Sequence, residues 1–380
     1  MTQNPSELEL AAANPLPTAD ELAHSWEHTP SLNPATPEAR EEVFNSLGFG
    51  SVFTDHMAHA IYEEGKGWHS KVIEPYGPLT LDPAAAVLHY GQEVFEGLKA
   101  YRHDDGSVWT FRPGYNAARL NASSRRLAIP ELTPEDFLAS IVGLVRADEV
   151  WVPSAPGSSL YLRPFIIATE AFLGVRAAHK YDYLCIASPS GPYFTGGFEG
   201  ISVWVSPDYH RAGPGGMGAA KTGGNYASSL VPKVMAKDEG FDEVCFLDAA
   251  TNTNIDELGG MNLFIVYEDG TLATPSLTGN ILEGGTRGAI LRLLRDRNRT
   301  VTEKTINSAQ LVADIESGKV SEVFACGTAA VVTPVARIAG EGFDVSLAGG
   351  EVTKSIYDQV TAIQLGHEPD PYNWTYKITP

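Results

Sequence analysis

The most informative stretch of this sequence is residues 216–230, which read Gly-Met-Gly-Ala-Ala-Lys-Thr-Gly-Gly-Asn-Tyr-Ala-Ser-Ser-Leu. Glycines on both sides of Lys221 let the backbone pass close to a bound molecule and adopt positive φ angles. A lysine amine in such a loop can condense with an aldehyde, and the phenol of Tyr226 can hydrogen-bond the product. A solvated loop lysine is the ordinary alternative, but the residues around Lys221 favour imine chemistry.

Length and composition limit what the chain can be. Its 380 residues suit two domains or one large one, and 43% hydrophobic and 19% charged residues are typical of a soluble globular protein. A formal net charge of −20 argues against nucleic acid and anionic membranes as partners, because both select basic surfaces. Small-molecule substrates, including acidic ones, remain compatible with this charge.

The sequence also indicates a cytoplasmic protein. No apolar run approaches the roughly 20 residues of a transmembrane helix. No basic residue precedes Arg40, which is untypical of secretory and transit signals. Cys185, Cys245 and Cys326 are far apart and form no Cys-x-x-Cys pair, so we expect reduced core residues.

The composition along the chain predicts an α+β fold with several parts. Residues 1–45 are rich in Pro, Ala, Thr and Glu, and we predict an N-terminal extension, mobile or laid over the surface. A small N-terminal domain is expected over 46–187 and an interdomain loop over the Gly- and Pro-rich 188–200. The large C-terminal domain is expected over 201–380. The mixture of hairpins and helices favours α+β over a doubly wound sheet.

Local patterns predict individual elements. Asp104-Asp105-Gly106 and Glu268-Asp269-Gly270 predict hairpin turns, and Thr133 before Pro134 predicts the start of a helix. In the C-terminal half we predict strands at 201–205, 243–248, 261–267 and 320–325. Helices are predicted at 225–238, 286–297, 308–317 and 351–364.

A nucleotide-binding P-loop is the rival interpretation of residues 215–222, which depart from that pattern only at Ala220. A P-loop follows directly on a buried strand and continues into a helix. Here the predicted strand ends at residue 205, and we expect Gly223 and Gly224 to prevent a helix. The pattern therefore disfavours nucleotide binding.

An aldehyde cofactor with a phosphate tail would need further partners. Arg119 is a candidate for the phosphate, and Gly285-Thr286 opens a predicted helix whose first N–H groups favour an anion. The turn Gly327-Thr328-Ala329 is also rich in N–H groups. Glu257 is the candidate carboxylate for a pyridine nitrogen, because a protonated ring accepts electrons better.

Taken together, these features resemble the class IV (fold type IV) pyridoxal-phosphate aminotransferases, and specifically the branched-chain amino-acid aminotransferases. The matching segments run in family order over nearly the whole chain after residue 45: 49–50, 53–57, 88–92, 95–100, 161–164, 191–194, 221–226, 257–262 and 327–330. The resemblance implies two α/β domains with the active site in the cleft between them.

The resemblance also implies a role for each candidate residue. Lys221 would form the Schiff base with pyridoxal 5′-phosphate and act as general acid and base. The implied cofactor ligands are Tyr226 at the phenolic oxygen, Glu257 at the pyridinium nitrogen, and Arg119, Gly285, Thr286 and Thr328 at the phosphate. The implied substrate-binding residues are Phe49, Tyr90, Phe95, Tyr161, Arg163, Tyr193, Met261, Thr328 and Ala329. Among these, Tyr161 and Arg163 resemble the pair that accepts the distal carboxylate of glutamate.

The implied reaction is a ping-pong transamination of leucine, isoleucine and valine with 2-oxoglutarate, giving branched-chain 2-oxo acids and glutamate. An apolar wall with an arginine at its edge would serve both kinds of side chain. D-amino-acid aminotransferases and aminodeoxychorismate lyases share Lys221, Glu257 and Arg119 and are alternatives within the fold. Segments 95–100 and 161–164 favour the branched-chain enzyme.

Three further expectations follow from the resemblance and from the positions at which this sequence departs from the family. A homodimer is implied, with some pocket residues supplied by the partner. Ala330 and Thr333 occupy the positions of the Cys-x-x-Cys pair of mammalian members, so we expect no thiol switch. We expect no metal site, because His56 and His89 have no ligand partners at suitable spacing.

Overall fold

The structure is a computed structural model that describes residues 6–192, 198–348 and 350–380. The chain divides into two compact units. Unit 1 comprises Met1–Tyr193, Ala220–Thr222 and Ala362–Pro380, and unit 2 comprises Phe194–Ala219 and Gly223–Thr361. Each unit combines a β-sheet with helices, which agrees with the predicted α+β class. The domain limits given above stay a prediction.

The helices are α1 (Glu7–Ala12), α2 (Ala19–Leu22), α3 (Pro37–Phe44), α4 (Ala86–Tyr90), α5 (Pro113–Arg126), α6 (Pro134–Ala147), α7 (Gly223–Ala227), α8 (Leu230–Asp238), α9 (Gly285–Asp296), α10 (Ser308–Glu316) and α11 (Glu351–Gln364). The strands are β1 (Glu27–His28), β2 (His56–Glu63), β3 (Gly67–Pro75), β4 (Glu93–Phe95), β5 (Leu98–Arg102), β6 (Val108–Phe111), β7 (Ser159–Ala168), β8 (Lys180–Ser190), β9 (Ile201–Val205), β10 (Glu243–Leu247), β11 (Ile255–Leu258), β12 (Asn262–Tyr267), β13 (Leu272–Pro275), β14 (Val301–Lys304), β15 (Val320–Gly327), β16 (Val331–Gly340), β17 (Phe343–Ser346) and β18 (Thr375–Lys377). Over the described residues, no helix is both long and apolar enough to cross a membrane.

Unit 1 is built on a sheet with strand order β1-β3-β2-β8-β7-β5-β6-β18, with β4 added beside β7. Strand β1 pairs in parallel with β3, whereas neighbours such as β2–β3, β2–β8 and β7–β8 are antiparallel. One face carries the core, because Leu98 and Leu162 lie opposite each other and are buried with apolar residues of the neighbouring strands. Helix α6 contributes Phe137 and Ile141 to this core. Its predicted start is confirmed, since the Thr133 hydroxyl accepts a hydrogen bond from the N–H of Asp136.

The N-terminal segment lies over unit 1, one of the two possibilities left open by the sequence. Leu22 and Trp26 are buried in the unit 1 core, and β1 pairs with β3. The backbone N–H of Ser31 donates to His56 Nε2 at 2.8 Å, while His56 Nδ1 lies 2.6 Å from Asp148. The helices here are four to eight residues long, which is why their periodicity is weak in the sequence.

Unit 2 is built on a mixed sheet with strand order β11-β10-β9-β16-β15-β12-β13-β14, with β17 beside β16. The pairs β9–β10, β9–β16 and β13–β14 are parallel. Buried residues such as Val203, Leu263 and Val323 form its core. The predicted strands and the helices near 286–297, 308–317 and 351–364 are present, with shifts of one or two residues. Both predicted hairpin turns are confirmed by the pairs β5–β6 and β12–β13.

Two predictions about residues 223–238 were wrong. The structure has two helices, α7 and α8, because the hydroxyls of Ser228 and Ser229 bond to the carbonyls of Asn225 and Tyr226 and compete with the helical pattern. The expectation that Gly223 and Gly224 would prevent a helix was also wrong, since α7 begins at Gly223. Strand β9 nevertheless ends at Val205, so the P-loop arrangement of strand, loop and helix is not formed.

A pH-dependent contribution to stability is expected from His59 on β2. Its Nδ1 lies 2.8 Å from Glu74 Oε1, and its Nε2 lies 3.1 Å from Asp182 Oδ2. The hydrogen bond with Asp182 is the main cause that raises the pKa of His59. Because the pKa is raised in the folded state, this stabilisation is complete below the ordinary histidine pKa of 6.5. It is lost as the pH rises through the folded pKa.

The variant His59→Gln should therefore lower the free energy of unfolding by about 1–3 kcal/mol at pH 6, and by less at pH 9. Urea unfolding followed by tryptophan fluorescence at both pH values measures the difference. The exposed His24 provides a control, because His24→Gln should leave both values unchanged. Equal losses at the two pH values would contradict the expected dependence on charge.

Candidate active site

Two candidate residues of unit 1, Tyr161 and Arg163, lie on strand β7, on the sheet face opposite the core. Strand β5 pairs with β7 so that Lys99 lies opposite Tyr161, one position away from the core pair Leu98 and Leu162. Because side chains alternate along a strand, Tyr161 and Arg163 share the second face. This second face does not pack on the apolar core, so it can carry polar side chains that bind a ligand.

Four candidate residues contact one another on this face. Arg163 Nη2 donates to Tyr161 Oη at 3.0 Å, and its guanidinium carbon lies 4.8 Å from the centre of the Phe95 ring. The ring of Phe49 packs edge-on against Tyr161 at 4.9 Å. Gly97 makes room for this arrangement, because a Cβ atom there would lie 2.0 Å from Tyr161 Oη. We name Phe49, Phe95, Tyr161 and Arg163 the aromatic–arginine cluster.

Lys221 joins this cluster through a three-residue segment that belongs to unit 1. Its backbone N–H donates to Ser123 Oγ at 2.8 Å, and its carbonyl accepts from the N–H of Phe95 at 3.0 Å. The hydroxyl of Thr222 donates to the carbonyl of Glu93 at 2.8 Å. These bonds hold the segment at three points, and Lys221 Nζ lies 4.6 Å from the Phe95 ring centre. Phe95 thus contacts both Lys221 and Arg163.

Arg119 lies on α5 and forms a buried ion pair. Its Nε and Nη2 bond to the two carboxylate oxygens of Glu96 at 2.7 and 2.8 Å, and Glu96 is fully buried. Asn116 Nδ2 donates to the same carboxylate at 2.8 Å. One helical turn after Arg119, α5 presents Ser123, which holds Lys221. A single helix therefore orients the arginine and anchors the lysine segment.

One candidate residue of the first half, Tyr90, lies elsewhere in unit 1. Tyr90 ends α4, where its hydroxyl donates to the carbonyl of Leu173 and its ring lies beside His89. The structure does not bring it to the aromatic–arginine cluster of the same unit. Tyr193 lies outside the described residues.

In unit 2, Glu257 is a buried carboxylate with several donors. Arg211 Nη1 lies 2.8 Å from its Oε1, and the N–H of Leu282 donates to the same oxygen at 2.8 Å. Asn262 Nδ2 donates to Oε2 at 3.3 Å and to the carbonyl of Leu282 at 3.0 Å. Cationic and N–H donors of this kind favour the charged form of a carboxylate.

Asn262 also connects Glu257 with the start of α9. A Cβ atom on Gly284, directly before α9, would lie 2.0 Å from Asn262 Oδ1. Gly285 and Thr286 form the first turn of that helix, and the Thr286 side chain is buried. The first amides of a helix have no carbonyl partner within the helix, so they suit an anion.

Strand β12 places the turn at 327–329 next to Met261. Asn262 pairs with Cys326 across the two strands, so Gly327 begins the turn beside this residue. A Cβ atom on Gly327 would lie 3.4 Å from Met261 Cγ. The turn carries Thr328 and Ala329 and ends at Val331, whose φ of 59° is strained for a β-branched residue. Unit 2 therefore groups Met261 with Thr328 and Ala329, near Asn262.

Tyr226 lies on α7 of unit 2 and is partly buried. Its carbonyl accepts from the Ser229 hydroxyl at 2.6 Å, and the preceding Asn225 donates from Nδ2 to the carbonyl of Met217 at 2.7 Å. These bonds fix the backbone that carries the phenol.

Burial shifts the pKa values of two cysteines and of one lysine. It raises the pKa of Cys326 and of Cys245 to about 12, and all three cysteines are buried thiols, as predicted. Burial also lowers the pKa of Lys99 to about 8. In the described part of the chain, no group of three or more His, Cys, Asp or Glu residues is arranged to hold a metal ion.

The sequence did not single out Ser123, Glu96 or Arg211, although each holds a candidate residue. Ser123 lies 98 residues from Lys221, so no local signal could reveal their contact. Glu96 stands inside the quoted segment 95–100, and Arg211 lies before the glycine-rich stretch. For Glu96 and Arg211 a signal was available, because a buried carboxylate requires a cation nearby. Glu96 is the carboxylate that pairs with Arg119, and Arg211 is the cation that pairs with the carboxylate of Glu257.

The amino-acid sequence of this chain matches a known protein family and is similar to known proteins. Residues 93–338 match the family model described as Amino-transferase class IV. The chain is 50% identical over 355 residues to the branched-chain-amino-acid aminotransferase of Mycolicibacterium smegmatis, covering 92% of this chain and 96% of that protein.

Two solved structures are similar over most of their length. The branched-chain aminotransferase of Thermoproteus uzoniensis with norvaline has a TM-score of 0.71 and 27% identity, covering 84% of this chain and 99% of that one. The T.th. branched-chain amino acid aminotransferase complexed with N-(5′-phosphopyridoxyl)-L-glutamate has a TM-score of 0.68 and 26% identity, covering 85% and 99%.

The ion pair of Glu96 and Arg119 gives a prediction about stability. The variant Glu96→Gln should lower the free energy of unfolding by about 3–5 kcal/mol, because it removes the charge that compensates a buried guanidinium. Replacing both residues, as Glu96→Gln with Arg119→Met, should recover part of this loss. Urea unfolding of the cofactor-free protein measures each value.

Glu131 offers a matched control, since it pairs with Arg125 at an exposed position. The variant Glu131→Gln should change the free energy of unfolding by less than about 1 kcal/mol. A loss in Glu96→Gln no larger than that of the control would show that the buried pair does not stabilise unit 1.

Proposed function

This chain belongs to the branched-chain-amino-acid aminotransferases of class IV, and on that premise we propose that Lys221 is the catalytic residue of its transamination. The enzyme exchanges the amino group of leucine, isoleucine and valine with 2-oxoglutarate. The observation that carries the proposal is the position of Phe95, whose ring contacts both Lys221 Nζ and the guanidinium of Arg163. A reactive amine and a carboxylate-binding group thus adjoin one apolar wall.

Pyridoxal 5′-phosphate is the proposed cofactor, and the donors present fit it. When bound, it supplies a protonated pyridine ring that withdraws electrons from the α-carbon of the substrate. Glu257 suits the ring nitrogen because its carboxylate is buried and lies 2.8 Å from the guanidinium of Arg211. Tyr226 is the proposed partner of the phenolic oxygen. The similar T.th. enzyme, complexed with a phosphopyridoxyl glutamate, supports the assignment.

We assign the phosphate group to the residues Arg119, Gly285, Thr286 and Thr328. The bidentate bond with Glu96 fixes the plane of the Arg119 guanidinium, which is a planar donor suited to phosphate. The first turn of α9 contributes its amides and the positive end of the helix dipole. Together these groups offset the negative charge of a phosphate in a protein whose net charge is −20.

Lys221 moves the proton of the reaction. Its Nζ accepts the proton from the α-carbon of the substrate amino acid, and in the opposite half-reaction it returns a proton to the same carbon of the 2-oxo acid. This role requires a fixed position, because proton transfer demands hydrogen-bond distance to the reacting atom. The three backbone and hydroxyl bonds of residues 221 and 222 supply that constraint.

The aromatic–arginine cluster is the proposed specificity site for two kinds of substrate. The rings of Phe49 and Phe95 suit the aliphatic side chains of leucine, isoleucine and valine. Arg163 Nη2 and Tyr161 Oη suit the distal carboxylate of glutamate and 2-oxoglutarate. The complexes of similar enzymes with norvaline and with phosphopyridoxyl glutamate support both uses.

The remaining candidates complete the proposal. The amides of Thr328 and Ala329 are assigned to the substrate α-carboxylate, and Met261, Tyr90 and Tyr193 to the border of the side-chain pocket. We also propose a homodimer in the cytoplasm. Helix α8 supports the dimer, because it exposes an apolar row formed by Leu230, Val231, Val234 and Met235.

The assignment of Lys221 is tested by removing its amine. The variant Lys221→Ala should lose at least about 1000-fold in kcat, because it lacks the group that moves the α-proton. After borohydride reduction of cofactor-loaded protein, mass spectrometry of peptides should find a pyridoxyl adduct at residue 221 in the wild type alone. Lys71→Ala, which removes a partly buried lysine paired with Asp136, is the control and should keep its activity. A wild-type adduct on a different peptide would overturn the assignment.

The role of Arg163 is tested by comparing the two half-reactions. The variant Arg163→Ala should reduce kcat/KM for 2-oxoglutarate by about 10- to 100-fold, the value of a hydrogen-bonded charge. It should reduce kcat/KM for leucine by a much smaller factor. Single-turnover absorbance changes of the bound cofactor measure each half-reaction separately.

The control for this comparison is Arg102→Ala, which removes a partly buried arginine bonded to the Glu149 carbonyl. That variant should leave the ratio of the two half-reactions unchanged. Equal losses for leucine and 2-oxoglutarate in Arg163→Ala would eliminate the proposed role in carboxylate binding.

A further inference from the structure

Arg211 is a buried cation that holds two parts of the candidate site in unit 2. Its side chain is almost fully buried, and its Nη1 lies 2.8 Å from Glu257 Oε1. The same nitrogen lies 3.1 Å from the carbonyl oxygen of Gly218 and 2.9 Å from that of Asn280. One guanidinium therefore connects a carboxylate with two backbone segments.

The first consequence concerns the charge of Glu257. A buried carboxylate tends to take up a proton unless cations or N–H donors stabilise its charged form. The adjacent residue illustrates this tendency: burial, together with the nearby Asp248, raises the pKa of Asp256 to about 6. Among the described residues Asp256 has no ion pair within 4 Å, whereas Glu257 has Arg211 at 2.8 Å. Arg211 therefore favours the charged form of Glu257 more directly than that of the neighbouring Asp256.

The second consequence concerns the backbone near Lys221. Gly218 packs so closely on the segment at Asn280 that a Cβ atom would lie 2.2 Å from the Asn280 carbonyl oxygen. Arg211 bonds to the carbonyls on both sides of this contact. Arg211 therefore bonds the backbone at Gly218, three residues before Lys221 in the chain, to the segment at Asn280.

We propose that Arg211 is a positioning residue, which keeps Glu257 ionised and oriented for a pyridinium nitrogen and thereby sets the affinity for pyridoxal 5′-phosphate. This inference rests on the proposed function. In this proposal Arg211 acts through Glu257, to which it is bonded, rather than by binding the substrate or the cofactor. The removal of Arg211 should therefore weaken cofactor binding mainly when Glu257 carries its carboxylate.

The test is a double-mutant cycle of wild type, Arg211→Met, Glu257→Gln and the double variant. Equilibrium dialysis with pyridoxal 5′-phosphate gives the dissociation constant of each protein. We expect Arg211→Met to weaken binding by about tenfold or more in the wild-type background, and by less than about threefold in the Glu257→Gln background. The absorbance of the bound cofactor between pH 6 and 9 should change with pH more in Arg211→Met than in the wild type.

Arg112→Met is the matched control, because Arg112 is a buried arginine of unit 1 paired with Glu9. It should leave the dissociation constant and the pH dependence of the absorbance unchanged. Where Arg211→Met does not fold, Arg211→Gln replaces it in the cycle under the same criteria, since glutamine removes the charge but can still donate hydrogen bonds to the carbonyls of Gly218 and Asn280.

The outcomes separate this inference from the function on which it rests. Equal weakening in both backgrounds would assign Arg211 a structural role alone and overturn the proposal. Wild-type affinity in the Arg211 variant would also overturn it. A wild-type protein that fails to bind pyridoxal 5′-phosphate would instead refute the proposed function.

Discussion

The candidate site depends on one constraint, that a charge removed from water must be paired. Each unit satisfies this constraint with a buried arginine and a buried carboxylate: Arg119 with Glu96 in unit 1, and Arg211 with Glu257 in unit 2. Breaking such a pair leaves a costly isolated charge, so the pair fixes both side chains in one arrangement. The side chains proposed to contact the cofactor thus have little freedom of their own.

The second feature that organises the site is the sheet of unit 1. Its strands alternate between a face packed on the apolar core and a face that carries Tyr161 and Arg163. A slip of one residue in the pairing of β5 and β7 would exchange the two faces. The register that buries Leu98 and Leu162 places Arg163 on the second face of β7, and the pairing of β4 with β7, with Phe95 opposite Phe165, brings Phe95 beside it. The alternation of side chains along these strands therefore determines both the packing of the core and the geometry of the candidate site.

Elements determined by nearby residues were predictable from the sequence. The Thr133 cap, the two hairpin turns and the strand at 201–205 have local signals, and the structure contains them. The split of the helix at 225–238 was missed, because the effect of two consecutive serines depends on which carbonyls their hydroxyls reach. The resemblance named the side chains that are proposed to face a cofactor, whereas their supports, such as Ser123, arise from contacts distant in sequence. Tertiary contacts of that kind leave no periodicity to detect.

In the proposed function Arg163 serves both aliphatic and acidic substrates, so it has to tolerate a side-chain pocket without a distal carboxylate. In the structure its guanidinium already has the hydroxyl of Tyr161 at 3.0 Å and the faces of two aromatic rings, at 4.8 Å from Phe95 and 5.3 Å from Tyr161. Cation–π contacts of this kind stabilise an arginine by about 0.5–2 kcal/mol and do not compete for the geometry of a bound carboxylate. In the proposed site these contacts stabilise the guanidinium when the substrate is leucine, whose side chain carries no carboxylate. A lysine could not be held in the same way, because its ammonium is more strongly hydrated and lacks a planar face to stack.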